Sequence, residues 1–209
     1  MSKFWVADSF HFYLGHGIFN LEDDDFYLAL VDSTLDSNYD DWAADTAYTA
    51  GDIVIPTTRN GRRYICTVAG DSDDTTEPTW PTDDDDTVVD NEVTWQEYGG
   101  DMCDMELWSE ASGSEVANGN GYTTNGAALA GMALTSTNRV TKWDATDVTF
   151  SSLTKTFRTG WLYRSGTVDG VINPVVGYIL FDDSYADKTI TAVDFVAQWS
   201  SSGVYTFTS

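Results

Sequence analysis

Short runs of apolar residues, separated by Gly, Asn, Asp and Ser, follow one another along almost the whole chain. Apolar residues that repeat with the period of a helix are almost absent, whereas short runs between turn residues are typical of antiparallel strands. The sequence therefore predicts an all-β protein, whose main domain is an antiparallel β-sandwich or a barrel-like fold.

The predicted strands differ in how deeply they are buried. Phe26–Val31 is apolar on both faces of an extended strand, which predicts a central, buried strand. Five further runs follow at hairpin-like spacing in the second half of the chain: Val148–Leu153, Phe157–Tyr163, Val175–Phe181, Ile190–Trp199 and Val204–Phe207. This succession is the main support for the antiparallel architecture.

The run Ile190–Trp199 has one apolar face and one polar face. Because side chains alternate along a strand, four apolar residues share one side: Val193, Phe195, Ala197 and Trp199. The opposite side carries Asp194 and Gln198. We therefore expect this strand to be half solvated.

Two segments allow a helix. Phe4–Leu14 fits either an amphipathic helix or a strand, and Gly15 and Gly17 end it in both cases. The second segment is Asp104–Glu110. All remaining patterns favour strands and turns.

The composition changes between Tyr39 and Gly100. This stretch is strongly acidic and holds three of the four prolines, Pro56, Pro78 and Pro81. After it, the hydrophobic pattern of the first segment resumes. Because a loop tolerates an inserted unit whose ends lie close together, we predict a discontinuous main domain. Residues 1–38 plus 101–209 form that domain, and residues 39–100 form a small inserted β module.

The net negative charge of the chain restricts the kinds of molecule that it can bind. The chain carries 34 Asp and Glu against 10 Lys and Arg, a formal net charge of −24. A field of this sign repels phosphates and anionic lipids, so we expect no nucleic acid and no membrane partner. No stretch approaches a membrane span and the N-terminus shows no secretion signal. We therefore expect synthesis in a reducing cytoplasm, with Cys66 and Cys103 as free thiols.

The residues that most often carry catalysis are scarce. The only histidines are His11 and His16, and the sequence has no nucleophile elbow, phosphate loop or zinc signature. The acidic stretches Asp71–Glu77 and Asp83–Asp86 lack the spacing and the glycine of a calcium loop, which favours solvated loops over a metal site. We therefore expect a protein that is not an enzyme and that holds no cofactor or metal.

The outer segments carry an ordered set of features. They are the run Leu28–Asp32, then Ser114–Tyr122 followed by Gly126 and Leu129, then Trp143–Phe150, Trp161–Tyr163, and finally Val193–Phe195 with Trp199 and Gly203. In this pattern the outer segments resemble a family of small structural proteins encoded beside the head and tail genes of tailed bacteriophages. The resemblance covers most of the outer domain and implies a virion component. Within it, Asn118–Gly121 requires positive φ angles and predicts a tight turn that Tyr122 anchors by packing.

The insert carries a second ordered set. It comprises Trp42, Tyr48, Gly51 with Asp52, Val54, Asn60 with Gly61, Tyr64, Pro78 and Trp95. In this order and spacing the insert resembles the small chitin-binding modules of bacterial chitinases, which also occur in phage surface proteins. The resemblance spans nearly the whole insert and implies a carbohydrate-binding fold, with a host glycan as a possible ligand.

Aromatic residues are the candidates for contact with a sugar, because the apolar faces of sugar rings stack on exposed indole and phenol rings. We select Trp42, Tyr48 and Trp80 as candidate carbohydrate-binding residues, with Trp80 in a loop between prolines. Tyr64 and Trp95 lie in strand-like runs and are assigned to the core. The alternative is that the module serves as a folding unit or as a protein-contact surface.

Taken with the resemblance, these features predict a structural protein of a phage virion, assembled in the host cytoplasm. The first reading is a capsid decoration or head-fibre protein that contacts the major capsid protein; the alternative is a tail-associated, receptor-binding protein that contacts tail components. Repeated sites on a particle favour a homo-oligomer. The N-terminal segment is aromatic enough to serve as an attachment or oligomer contact, through Phe4, Trp5, Phe10, Phe12 and Tyr13.

Overall fold

The computed structural model describes residues 3–208. The elements of the first half, in chain order, are β1 (Lys3–Val6), α1 (Phe10–Gly15), β2 (Phe26–Val31), β3 (Ala47–Tyr48), β4 (Ile53–Val54), β5 (Arg62–Val68), β6 (Gly70–Asp71), β7 (Thr87–Asp90) and β8 (Val93–Gly100). Strands account for 46% of the residues and helices for 6%, which confirms the all-β prediction.

The second half begins with α2 (Trp108–Ala111) and a 3₁₀ turn (Ser112–Ser114). The strands that follow are β9 (Ala127–Ala128), β10 (Ala133–Thr137), β11 (Val140–Asp144), β12 (Val148–Phe157), β13 (Thr159–Arg164), β14 (Thr167–Val168), β15 (Val171–Ile172), β16 (Val175–Leu180), β17 (Lys188–Ala197) and β18 (Tyr205–Thr208). The five strand-like runs predicted there coincide with β12, β13, β16, β17 and β18.

The contacts within the chain divide it into two compact units. The large unit comprises residues up to 35, residues 105–182 and residues from 186 onwards. The small unit comprises residues 36–104 together with 183–185. The predicted insert, residues 39–100, falls within residues 36–104.

The main sheet of the large unit is antiparallel, with strand order β1-β16-β13-β2-β9. All residues of β2 except Tyr27 are buried, and the strand lies between β13 and β9, as expected from its apolar composition. A three-stranded sheet, β10-β11-β18, and the long pair β12-β17 complete the main architecture. The core includes Phe10, Phe26, Leu28, Leu30, Trp143, Phe157 and Leu162.

The N-terminal segment is both a strand and a helix. Lys3–Val6 pairs with β16, and the short helix α1 follows at Phe10–Gly15. The helix ends at Gly15, and Gly17 follows with a φ of +71°. In the second segment that allows a helix, α2 begins at Trp108 rather than at Asp104.

Val193 does not share the burial of its predicted neighbours. The register of β12 and β17 shifts on both sides of the Leu153–Val193 pair, and Ala192 adopts a φ of +52°. In this irregular stretch Val193 is 56% exposed, which corrects the prediction, whereas Phe195 and Ala197 are buried. Asp194 and Gln198 face solvent as predicted.

The predicted turn at Asn118–Gly121 forms. Gly119, Asn120 and Gly121 have φ angles of +96°, +54° and +83°. A Cβ atom on Gly121 would lie 2.6 Å from the carbonyl oxygen of Ser151, so the backbone approach there also requires glycine. Tyr122 is buried next to the turn; its hydroxyl donates to Glu115 Oε1 at 2.6 Å and accepts from the Leu30 amide at 3.1 Å.

The small unit has its own sheets and its own core. Its larger sheet is antiparallel, with strand order β4-β5-β8-β7, and β3 pairs with β6. The buried residues are Trp42, Val54, Tyr64, Cys66, Val93 and Trp95. Cys66 and Cys103 are buried as free thiols.

Hydrogen bonds join the two ends of the small unit. The Ser37 hydroxyl donates to the carbonyl oxygen of Asp101 at 2.5 Å. The side-chain amide Nδ2 of Asn38 donates to Asp104 Oδ2 at 2.8 Å. The chain thus enters and leaves this unit at neighbouring points, which is the geometry that an inserted module requires. Over residues 3–208, no helix is both long and apolar enough to cross a membrane.

Candidate functional site

Four aromatic rings form a connected cluster in the small unit. Trp95 lies in its middle, with the ring of Tyr48 edge-on at 4.8 Å between centroids and the ring of Trp80 at 5.9 Å. Trp80 also packs on Tyr64 at 4.3 Å with an interplanar angle of 35°. Tyr64 and Trp95 are fully buried, as the sequence predicts, whereas Tyr48 and Trp80 are half-buried at the edge of the core.

Trp42 belongs to the core and not to the surface. Its side chain is only 7% exposed, and its indole N–H donates to Asp90 Oδ2 at 2.8 Å. Trp95 donates to the same oxygen at 3.0 Å, and the Asp73 amide donates to Asp90 Oδ1 at 3.0 Å. The buried carboxylate thus holds two indoles in place. The prediction that the Trp42 ring contacts a sugar is corrected, because Asp90 and the core cover the ring.

Trp80 is fixed on its loop by Glu77. The indole N–H of Trp80 donates to Glu77 Oε1 at 2.7 Å. The same carboxylate accepts from the amide of Thr57 at 2.9 Å and from the Thr57 hydroxyl. With one side of Trp80 packed on Tyr64 and its N–H engaged, the exposed part of the ring is held in one orientation.

Tyr48 is held in a comparable way on β3. Its hydroxyl accepts from the amide of Ala43 at 3.0 Å and donates to the carbonyl oxygen of the same residue at 3.4 Å. Burial raises the pKa of the Tyr48 phenol. The polar end of the side chain is therefore engaged with the backbone of Ala43.

The two acidic stretches are organised by hydrogen bonds. Asp73 Oδ1 accepts from the amides of Thr75 and Thr76, and these bonds lower the pKa of the Asp73 carboxyl. In the second stretch, Arg62 bridges Asp84 at 3.2 Å and the buried Glu97 at 2.6 Å. Among residues 3–208, no three His, Cys, Asp or Glu side chains gather as they would around a metal ion.

The sequence analysis did not select Tyr98, an exposed aromatic residue of the small unit. Tyr98 is 49% exposed on β8, and the Arg63 guanidinium lies 5.0 Å from its ring centroid. Along β8, Trp95 and Glu97 face the core while Gln96 and Tyr98 face away. The alternation of this strand was the signal that would have identified Tyr98.

The five aromatic residues of the N-terminal segment differ in how deeply they are buried. Phe10 is fully buried, which corrects its assignment as a contact residue, and Phe4 and Tyr13 are half-buried against the core. Trp5 is also half-buried, with the Lys3 ammonium 3.7 Å from its ring centroid. Phe12 is 61% exposed and packs on the His16 ring, with 4.1 Å between the centroids and an interplanar angle of 33°. Of the five candidates, Phe12 is the one that presents most of its ring to solvent.

The arrangement in the small unit fits binding by stacking. Two half-exposed rings, Tyr48 and Trp80, flank one buried ring, and hydrogen bonds to the protein occupy their polar atoms. Such rings offer rigid apolar faces to a ligand at little cost in conformational entropy. Comparison with protein-family models, with curated proteins and with solved structures found no match for this chain.

Proposed function

We propose that this protein is a non-catalytic surface component of a tailed-phage virion, most simply a capsid decoration or head-fibre protein. The large unit attaches to the particle through the major capsid protein, and the small unit is a carbohydrate-binding module. The virion assignment is supported by the resemblance of the outer segments described under Sequence analysis.

The observation that carries the proposal is the way in which the small unit is built into the chain. It has its own core, and hydrogen bonds from Ser37 to Asp101 and from Asn38 to Asp104 hold its ends together. A module closed in this way adds a second surface to a protein without interrupting the first fold. That arrangement suits a protein with one unit for attachment and another for a different ligand.

The charge of the chain suits a protein present in many copies. A formal charge of −24 produces mutual repulsion between neighbouring molecules and keeps them soluble before assembly. It also keeps the protein away from the packaged genome, because phosphate and carboxylate repel each other.

A tail-associated, receptor-binding protein is the second candidate. The half-exposed Tyr48 and Trp80 favour it, because recognition of a host polysaccharide is a function of tail proteins that needs such rings. Both candidates use the same two surfaces. They differ in the position of the protein on the particle and in its copy number.

The position on the particle distinguishes the candidates. Purified virions are labelled with an antibody against the large unit and examined by electron microscopy, and the copy number is measured by quantitative mass spectrometry. Label over the head with many copies per particle is the expected result. A few copies at the tail tip would replace the first candidate by the second, and absence from purified virions would refute both.

Carbohydrate binding is tested separately with insoluble chitin, peptidoglycan and the capsular polysaccharide of the host. The full chain is incubated with each, and the bound fraction is compared with that of Trp80→Ala. We expect retention on at least one polysaccharide and about a two- to tenfold weaker retention for the variant, from the stacking contribution of one aromatic ring. Equal retention of both proteins would refute the assignment of the ring.

A further inference from the structure

Glycine directly follows asparagine at four places in the chain. The four asparagines are Asn60, Asn118, Asn120 and Asn125. In such a pair the backbone nitrogen of the glycine can attack the side-chain carbonyl carbon Cγ of the asparagine, because glycine has no side chain that hinders the approach. Asparagine is for this reason among the residues that heat damages most readily. The four pairs share the same local chemistry, so a difference in their reactivity comes from the folded structure.

The reaction has two steps. The glycine nitrogen loses its proton and bonds to Cγ, and the side-chain nitrogen leaves as ammonia, which closes a cyclic imide. Water then opens the imide at one of its two carbonyl groups and leaves either aspartate or isoaspartate. One water is consumed and one ammonia is released, without an oxidant or a cofactor. Each hydrogen bond that holds the attacking N–H or the side-chain amide must first be broken, and the reaction is slower where such bonds exist.

Asn120 and Gly121 occupy the two central positions of the tight turn in the large unit. Both are exposed and have positive φ angles, and the turn is closed by the Gly119 amide, which donates to the carbonyl oxygen of Tyr122 at 2.8 Å. In a turn of this type the amide between the central residues lies outside the closing hydrogen bonds. Among residues 3–208, neither the Gly121 amide nor the Asn120 side chain has a hydrogen-bond partner. Both reacting groups are therefore free.

At Asn118 and Asn125 the attacking amide is already a hydrogen-bond donor. The Gly119 amide closes the turn, and the Gly126 amide donates to the carbonyl oxygen of Thr123 at 2.9 Å. Gly126 also lies so close to strand β2 that a Cβ atom on it would be 2.1 Å from a backbone oxygen of that strand. Ring closure at either position would break a backbone hydrogen bond, and at Asn125 it would also disturb the packing on β2.

At Asn60 the side chain is held at both ends. Its Oδ1 accepts from the amide of Arg62 at 3.0 Å, and its Nδ2 donates to the hydroxyl of Tyr64 at 2.9 Å. The following Gly61 is buried, which keeps water from the reacting atoms. Rotation of the Asn60 amide towards Gly61 would cost both hydrogen bonds.

We propose that Asn120 is a site of spontaneous deamidation, and that it reacts faster than the other three asparagines in the folded protein. The turn need only open locally for the imide to close, whereas the other positions require further hydrogen bonds to break. The modification needs no partner, so this proposal does not depend on the virion assignment.

The isoaspartate product should loosen the turn from strand β12. In that product the main chain runs through the former side chain, so the carbonyl group of Asn120, which accepts the Thr154 amide at 2.9 Å, leaves the main chain. The main chain also gains one atom. A Cβ atom on Gly121 would already lie 2.6 Å from the carbonyl oxygen of Ser151, so the turn has to move away from β12 to accommodate the extra atom.

The first test measures deamidation at all four asparagines in one sample. The full chain is incubated at mildly alkaline pH in water enriched in the heavy oxygen isotope, both folded and in concentrated guanidinium chloride. It is then digested at acidic pH in ordinary water, and the peptides are analysed by mass spectrometry. Products formed during the incubation carry the heavy isotope, whereas products of the digestion do not. We expect Asn120 to react severalfold faster than the other three in the folded protein, and all four to react at similar rates in denaturant.

The comparison between folded and unfolded protein decides the assignment. Equal rates at the four asparagines of the folded chain would overturn the proposal, and so would a faster reaction at Asn60, Asn118 or Asn125. The same holds if Asn120 keeps its lead in denaturant, because the structure would then not be the cause. In Asn120→Gln the fast reaction should disappear while the other three rates stay unchanged.

The second test concerns the effect of the product on the turn. Aged protein is separated from fresh protein by anion exchange, since the product carries one more negative charge, and the fraction with isoaspartate at position 120 is unfolded in urea. We expect a lower midpoint than for fresh protein. Asn120→Asp adds the same charge without the extra main-chain atom and should unfold close to the wild type. Equal loss in both would assign the effect to charge and contradict the proposed loosening, as would an unchanged midpoint of the aged protein.

Discussion

The indole N–H of Trp80 donates a 2.7 Å hydrogen bond to Oε1 of Glu77. The same carboxylate takes both the amide and the hydroxyl of Thr57, so Glu77 links the loop of Trp80 to the segment after β4. With Tyr64 packed beneath the ring, Trp80 is held before any ligand arrives. Pre-organisation of this kind lowers the entropy lost on binding.

Loss of the Glu77 carboxylate should weaken polysaccharide binding even though the Trp80 ring is still present. In Glu77→Ala, the indole N–H and the Thr57 amide lose their acceptor, so we expect a severalfold weaker retention on the polysaccharide that the wild type binds. Glu77→Gln keeps one acceptor oxygen and should lie between Ala and the wild type. Retention on polysaccharide beads, with Trp fluorescence as a check on folding, measures the effect. Unchanged retention in Glu77→Ala would mean that the orientation of Trp80 does not matter.

Asp90 should be a major contributor to the stability of the small unit. In Asp90→Ala, two buried indole N–H groups and the amide of Asp73 lose their acceptor. Since each unsatisfied buried donor costs about 1–3 kcal/mol, we expect a loss of about 3 kcal/mol or more. Urea unfolding followed by tryptophan fluorescence measures it. The control is Asp74→Ala, an exposed carboxylate nearby, for which we expect a change within about 0.5 kcal/mol. Equal midpoints for both variants would contradict this role.

Tyr122→Phe should destabilise the large unit. The substitution removes the hydroxyl that accepts from the buried Leu30 amide and donates to Glu115. We expect a loss of about 1–3 kcal/mol, mainly from the unpaired amide. Calorimetric unfolding measures the change. Tyr27→Phe, at a half-buried tyrosine on β2, the strand that also carries Leu30, is the matched control and should change stability by less than about 0.5 kcal/mol. If both substitutions have the same effect, the hydroxyl of Tyr122 makes no special contribution.

The small unit should lose stability at alkaline pH through Tyr64. Burial raises the pKa of this phenol from its ordinary value of 10.0 to about 12. The folded state therefore holds the proton more tightly than the unfolded state, so the stabilisation is complete below pH 10 and decreases as the pH rises through 12. The urea midpoint of the wild type should fall across this range. Tyr64→Phe should show a flatter dependence, whereas Tyr98→Phe, at an exposed tyrosine, should follow the wild type. Parallel curves for wild type and Tyr64→Phe would exclude Tyr64 as the cause.

Local sequence was sufficient for the strands and the main turn. Phe26–Val31 is apolar at every position and becomes the buried strand β2. Asn118–Gly121 forms the predicted tight turn, because Gly and Asn adopt positive φ angles at low cost. In these places one conformation is favoured by the residues themselves, and the tertiary structure agrees with it.

The orientation of individual side chains depended on distant contacts. Val193 is 56% exposed, although the strand pattern predicts it on the buried face, and the register of β12 and β17 is irregular on both sides of it. Phe10 and Phe12 lie on the same short helix, yet only the first enters the core. In both cases the deciding factor is the packing of that element against residues far away in the chain.

The sequence by itself determined that this protein is all-β, acidic and rich in aromatic residues, since those properties follow from local conformational preference and composition. Only the tertiary structure decided which aromatic rings remain at the surface. Trp42 became a core residue because Asp90, 48 positions later, accepts its indole N–H, whereas Trp80 stays half-exposed because Glu77 holds it on its loop. Burial of a ring is a property of the partners that surround it, and the fold brings those partners together from separate parts of the chain.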